Sequence, residues 1–367
     1  MEDNIQILKD SFDFKYLISN TKLRRLGYLK VLLSMFTNNE EYAVSSFNKK
    51  FELFAVEFEP FLLGYKNTKG VIKETKNGIS ASPYVELALN LGLIIKNAYA
   101  YQLGKSGKVY NILQKELDLK WDNPFQMSMF DITFFLELLL REDYWFLYNI
   151  LDQTMKASHI KYINLKKIFK QVLLESISEI KYKYTDEVSN KKVGDIEERL
   201  KKWNDKDSYM EHILMPRLNW LYDLNLIELK KDLSYTLTSY GVALFQRFVQ
   251  CNNIAHHTII SAEDYLNNFY LKIINDIFDL SKKRFNFAVD TDILDMYLNQ
   301  SFDLFKTLAP NRTTFSLFAN YAKLMLFFKH SIVIDEGDIR FYYGSKNNTK
   351  YIFKYQEQYK DGFIQKI

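Results

Sequence analysis

The chain has 367 residues, 47% apolar and 16% aromatic, with 49 Lys and Arg against 45 Asp and Glu. Phe and Tyr alone number 55, which excludes a disordered chain, and 12 Gly is about half of ordinary usage (roughly 7%), which argues against Rossmann and TIM-barrel enzymes with their many tight turns. A single cysteine, Cys251, leaves no disulfide framework or cysteine-rich zinc site and suits a reducing cytosol.

Such a length predicts two or three domains, mainly helical with a few hairpins. Met1-Glu-Asp-Asn begins acidic, without the basic region and apolar run of a signal peptide. The strongly apolar runs, Phe134 to Leu140 and Leu324 to Phe328, fall short of the roughly 20 residues a membrane helix needs. A cytoplasmic protein is expected.

Between Gly64 and Tyr110 seven lysines (Lys66, Lys69, Lys73, Lys76, Lys96, Lys105, Lys108) face only Glu74 and Glu86, a local excess of +5. Inside this stretch Ser82 suits a helix N-cap with Pro83 as the first helical residue. Val85, Ala88, Leu89 and Leu91 share a face, and Gly92 sits where a left-handed residue ends the helix. Leu93 to Ile95 and Tyr101 to Leu103 read as strands about a turn at Lys96 to Ala98, and Gly107 leads into the next helix. Residues 126–206 read as a helical spacer. Ser128 with Asp131 forms a capping-box start, ahead of Phe130, Phe134, Phe135, Leu138 and Leu139. Asn164 caps a second helix with Leu165, Ile168, Phe169, Val172, Leu173, Ile177 and Ile180, and Thr185 to Gly194 reads as an exposed loop. From Lys156 to Lys206, 13 basic residues oppose 8 acidic ones, again +5.

An internal repeat then emerges. Pro216-Arg-Leu-Asn-Trp-Leu-Tyr-Asp-Leu224-Asn-Leu226-Ile227 matches Pro83-Tyr-Val-Glu-Leu-Ala-Leu-Asn-Leu91-Gly-Leu93-Ile94 at an offset of 133 residues. Tyr235-Thr-Leu237 and Gly241 match Tyr101-Gln-Leu103 and Gly107 at 134, so one residue is added in the connection that holds the second turn, Lys230 to Asp232. Each copy reads as helix, strand, turn, strand, helix. Beyond Ser261, which with Asp264 caps a helix carrying Tyr265, Leu266, Phe269 and Ile273, lies a C-terminal unit. There Ser316 to Phe328 reads as a long helix. Ile332 to Ile334, Ile339 to Tyr343 and Tyr351 to Tyr355 read as strands, with Asp335 to Asp338 and Ser345 to Lys350 as turns. A third, degenerate copy without the exit glycine is one reading of this unit.

The leucine-rich helix end, the Leu-Gly-Leu-Ile entry to the hairpin and the Tyr235 to Gly241 exit resemble the winged helix-turn-helix family of DNA-binding domains. The resemblance covers about 60 to 90 residues per copy. It implies a mainly α fold with small β-hairpins. Tandem winged-helix domains (1–125 and 207–260) would be joined by a helical spacer (126–206), with a C-terminal α+β unit (261–367). It further implies a non-catalytic protein that binds double-stranded DNA. Such chains are similar to plasmid replication initiators and to recognition or accessory subunits of bacterial defence and mobile-element complexes, in which a nuclease, helicase or ATPase partner does the chemistry. Winged helices also serve as protein-binding modules, so a scaffold for partner subunits is the alternative, ahead of a nuclease with an unrecognised site.

Lys73, Lys76, Lys96, Lys105 and Lys108 are the phosphate-contact candidates of the first copy, and Lys230 and Lys231 those of the second wing. Tyr84 joins them at the start of the first recognition helix. Arg217, Asn219 and Trp220 carry base-reading chemistry at the second, since Arg and Asn contact guanine and adenine edges bidentately. In the competing reading Arg217 pairs with a neighbouring acid and Trp220 packs on adjoining structure. No cofactor is expected. Gly104-Lys-Ser-Gly107 lacks the first glycine of a phosphate loop, and Asp223 with Glu228 and Lys230 is too tightly spaced for a nuclease motif. Cys251, His256 and His257 lack a fourth zinc ligand, and Asp290, Asp292 and Asp295 fit a helix cap better than a cation site.

Overall fold

The computed structural model of the chain describes residues 16–37, 40–62, 70–183, 187–202, 207–254, 262–307, 311–345, 351–356 and 361–367. Among them thirteen α-helices dominate, accompanied by three small three-stranded sheets and one parallel strand pair.

One order of elements recurs three times: helix, strand, helix, helix, strand, strand. The first passage is α1 (Gly27–Ser34), β1 (Tyr42–Ala43), α2 (Val44–Val56), α3 (Ser82–Asn90), β2 (Ile94–Lys96) and β3 (Ala100–Leu103), followed by α4 (Lys105–Glu116). The second is α5 (Met129–Ala157), β4 (Ile160–Lys161), α6 (Tyr162–Lys183), an added α7 (Glu187–Lys202), α8 (Asp207–Asp223), β5 (Ile227–Leu229) and β6 (Ser234–Leu237), followed by α9 (Ser239–Ile254). After α10 (Ala262–Ile277) and β7 (Lys283–Arg284) comes the third: α11 (Thr291–Phe305), β8 (Arg312–Thr314), α12 (Phe315–Lys329), β9 (Ile332–Val333), α13 (Glu336–Ser345), β10 (Tyr351–Gln356) and β11 (Asp361–Lys366). In this third passage β9 is extra and pairs in parallel with β7.

Sheet order supports the equivalence. The orders are β1-β3-β2, β4-β6-β5 and β8-β11-β10, so in each passage the short first strand docks on the return strand of the hairpin. Tyr42 lies opposite Tyr101, Ile160 opposite Tyr235, and Thr313 opposite Ile364. These first strands of two or three residues are too short to show an alternating pattern, so periodicity misses them. The stretch read as a spacer therefore supplies α5, β4 and α6 to the second passage.

The repeated signature has a steric cause. Gly92 and Asn225 both take positive φ, 64° and 59°, at the end of the third helix. A Cβ at Gly107 would sit 2.0 Å from the Leu93 carbonyl, and one at Gly241 2.0 Å from the Leu226 carbonyl. The exit glycine lets the following helix cross the entry of its own hairpin. Leu91 and Leu224 are buried, as expected of residues at that junction.

The chain parts into two units. The first gathers Met1–Leu91, Ile95–Gln102 and Trp121–Ala262, the second Gly92–Ile94, Leu103–Lys120 and Glu263–Ile367. In the first, α5 packs against α6, α8 and α9, and the Ser128–Asp131 capping box forms reciprocally at its start. In the second, α12 is buried nearly all round and packs against α4, α11 and α13.

Several expected elements differ. Thr185 to Gly194 is not a loop where described, because α7 spans Glu187–Lys202, with Glu187 in its first turn and Arg199, Lys201 and Lys202 in its last, a charge order that suits the helix dipole. Ile339 to Tyr343 is helical: Ile339, Tyr342 and Tyr343 are buried at i, i+3 and i+4 spacing, and Asp335 to Asp338 forms the entry to α13. The Lys346–Lys350 part of the expected hairpin tip lies outside the described residues. Ser82 starts α3 without capping it, its hydroxyl facing Glu86 at 3.4 Å. The helix expected from Asn164 begins at Tyr162, directly after β4.

Candidate nucleic-acid interface

The expected contact residues divide into two groups. Lys73, Lys76, Lys96, Lys105, Lys108, Lys230 and Lys231 are exposed. Tyr84, Arg217, Asn219 and Trp220 are buried.

Lys73 and Lys76 lie on the loop between α2 and α3, and a buried carboxylate holds that loop. Glu52 on α2 accepts hydrogen bonds from the Thr75 N–H (2.8 Å), the Thr75 hydroxyl (2.8 Å) and the Ser80 N–H (2.7 Å). Gly78 at φ 72° completes the turn where a Cβ would strike Asn48. The lysines thus project from an anchored turn. Lys96 ends β2, while Lys105 and Lys108 occupy the first turn of α4. Lys105 reaches Asp361 at 3.2 Å, an exposed pair of the kind that contributes little and is screened by salt. Lys230 pairs with Glu228 beside the second hairpin turn.

Base reading by the third helices finds no support in the geometry. Arg217 has no exposed surface. Its Nε and Nη2 donate to Asp143 at 2.6 and 2.8 Å, Nη2 also to the Leu17 carbonyl, and Nη1 to Ser19 and the Ile213 carbonyl, while the guanidinium stacks 4.1 Å above Phe146. Every donor is used. Asp143 can face it because α5 kinks there, at φ −143° and ψ 19°. Burial pushes the Asp143 carboxyl up, and Arg217 pulls it back. Asn219 turns inward to the Met215 carbonyl at 2.6 Å, and Trp220 is fully buried. Tyr84 is a core phenol: its hydroxyl accepts from Arg24 and Arg25 N–H and donates to the Gly70 carbonyl, and desolvation raises its pKa well above the ordinary tyrosine value.

Pro216 explains part of this inward turn. It lies inside α8, not at its start as Pro83 does, so no N–H meets the His212 carbonyl. Ser19 donates its hydroxyl to that carbonyl at 2.5 Å, and Thr21 N–H donates to His212 Nδ1 at 3.0 Å. The segment 17–26 is stapled along α8 by these bonds and by two further ion pairs, Arg24–Glu211 at 3.2 Å and Arg25–Asp223 at 2.8 Å. Nothing in the local sequence around Arg24, Arg25 or Lys30, which meets Asp131 at 2.8 Å, marks these cations as buried.

No protein-family model, no curated protein and no solved structure matches the chain. Among the described residues no group of three or more His, Cys, Asp or Glu could hold a metal ion, and no helix is long and apolar enough to cross a membrane. Asp290 stands at the start of α11 without capping it, its carboxylate accepting instead from Lys283 at 2.8 Å and Asn286 N–H at 3.0 Å. The side chains of Cys251, His256 and His257 lie outside the described residues.

Proposed function

We propose that the three passages are winged helices and that the chain is a non-catalytic DNA-binding protein which grips duplex DNA by its phosphates. A contrast in exposure supports this reading: seven lysines on hairpins and adjoining turns are exposed, while Arg217, Asn219 and Trp220, the side chains suited to reading bases, are turned into the core. Binding of this kind is insensitive to sequence and steeply dependent on salt. A partner such as a nuclease, helicase or ATPase subunit of a bacterial defence or mobile-element complex would supply the chemistry.

Titration of random-sequence duplex at rising salt tests this. Combined Lys96→Ala, Lys105→Ala and Lys108→Ala should weaken binding to all duplexes and flatten the log–log salt slope by up to about 2.7, roughly 0.9 for each phosphate that is no longer neutralised. A wild-type chain that fails to bind duplex at low salt would overturn the reading. The protein-scaffold reading would then take its place, favoured by Phe341, which projects from α13 with 70% of its surface exposed.

A further inference from the structure

We infer that the tips of the first two hairpins are apolar wedges for the minor groove of duplex DNA, with Tyr99 and Leu233 as the side chains that enter between base pairs and bend the duplex. The inference rests on the DNA-binding reading above and adds to its phosphate contacts a contact with the bases that no lysine supplies.

The two residues correspond. Tyr99 precedes Tyr101 by two positions and Leu233 precedes Tyr235 by two, so the offset of 134 that relates the return strands relates the tips as well. Both side chains stand in solvent, 86% and 62% exposed, where a turn ordinarily carries glycine or a short polar residue.

The second tip is also strained. The Asn97 N–H donates to the Ala100 carbonyl at 2.9 Å, closing the first hairpin on a loop of Ala98 and Tyr99. In the second, the Lys230 N–H donates to the Ser234 carbonyl at 2.8 Å and the Leu233 N–H to the Lys230 carbonyl at 3.1 Å. Lys231, Asp232 and Leu233 thus form a three-residue loop whose last position is left-handed, and Leu233 has φ 63°. Glycine usually fills that position, because a Cβ there crowds the following carbonyl. Every other non-glycine residue of positive φ among the described ones is Asp, Asn or Ser. Leucine neither suits this backbone nor buries its side chain, so local preference and packing both fail to account for it. A side chain held against such strain is one sign of a functional contact.

Duplex DNA fits this geometry. Paired strands lie about 5 Å apart, so a hairpin met end-on presents little more than its tip side chain to a minor groove about 6 Å wide. Lys96 lies three residues before Tyr99 and Lys231 two before Leu233, and both are exposed, which sets a cation beside each tip for the flanking phosphates. Asp232 is turned back on Ser234, whose N–H and hydroxyl donate to it at 3.2 and 2.7 Å. Apolar side chains inserted between base steps unstack them and kink the duplex by roughly 20–90°. Such contacts displace no counterions, so the wedges contribute affinity without steepening the salt dependence.

The full chain is titrated by fluorescence anisotropy onto a random-sequence duplex at several salt concentrations, and bending is read by energy transfer between dyes on the duplex ends. Wild type should bring the dyes closer. Leu233→Asn substitutes a residue that tolerates the left-handed conformation, and should melt no earlier than wild type. Combined with Tyr99→Ala it should weaken binding at least about tenfold, with an unchanged salt slope and a straighter duplex. Tyr99→Phe with Leu233→Met keeps both tips apolar and should bind and bend as wild type does. Wild-type affinity and bend in the Ala–Asn variant would overturn the wedges and leave the lysine contacts in place. Wild-type binding without a bend, or a slope that falls along with the affinity, would overturn them too. A wild-type chain that binds no duplex at low salt would instead remove the DNA-binding reading, and the wedges with it.

Discussion

The third helices of the first two repeats end in the same way and begin in different ways. α3 has nine residues and is entered from a loop tied to Glu52; α8 has seventeen and carries Pro216 in its interior. From Leu91 or Leu224 onward the two follow one path, through a left-handed residue, an apolar hairpin entry and a glycine packed on a carbonyl. Upstream they share little. The junction is fixed by steric contacts within about twenty residues, so similar side chains recreate it. The helix start is fixed by what packs on it: residues 17–26 run along α8 through ion pairs and the bonds to His212, whereas α3 meets the Arg24 and Arg25 N–H groups of that segment through the Tyr84 hydroxyl.

The largest expected effect breaks this comparison on one side only. Arg217→Ala leaves Asp143 buried and without its cation, and should cost about 3–5 kcal/mol by chemical denaturation. Ala at Tyr84, the residue aligned one position after Pro83, removes a phenol instead of an ion-pair partner and should leave Asp143 paired. A loss below about 1 kcal/mol for Arg217→Ala would show that the buried pair does not hold the second repeat together.

Gly107→Ala and Gly241→Ala sharpen the comparison, because the Leu93 and Leu226 carbonyls stand at the same 2.0 Å from the added carbon. Each should destabilise by about 1–3 kcal/mol through overpacking. Unequal melting shifts would mean that the two junctions tolerate strain differently despite equal geometry.

The smallest effect is a pH slope belonging to α8. Burial raises the Asp223 carboxyl to about 6, with Arg25 and the Leu26 N–H pulling against it. A carboxyl whose folded pKa lies above the unfolded value of about 3.9 contributes stability that is fully present below that value and is lost as pH rises through about 6. Asp223→Asn should therefore flatten the change in melting temperature between about pH 4 and about pH 6. An equal slope in wild type and variant would assign the titration elsewhere.

The third repeat shows where local sequence stops short of structure. α12 is evident as a helix because its apolar run is long, yet α13 reads locally as a strand: Ile339-Arg-Phe-Tyr-Tyr is rich in residues that favour sheets. Only packing of Ile339, Tyr342 and Tyr343 into the second unit selects the helical period. The lysines of the candidate interface are legible for the opposite reason, since seven of them stay in solvent and need no partner to be placed.

By itself the sequence determined the helix ends, both hairpins and the exit glycines of the first two repeats, along with the Ser128–Asp131 cap, because each is settled by contacts between near neighbours. Tertiary structure alone decided that Arg217 faces Asp143 and not a base, that strands of two residues complete the sheets, and that Lys161 lies beside the Lys230 turn. A cation has the same local preferences on a surface as in a buried pair, and which of the two it adopts depends on a carboxylate 74 positions away.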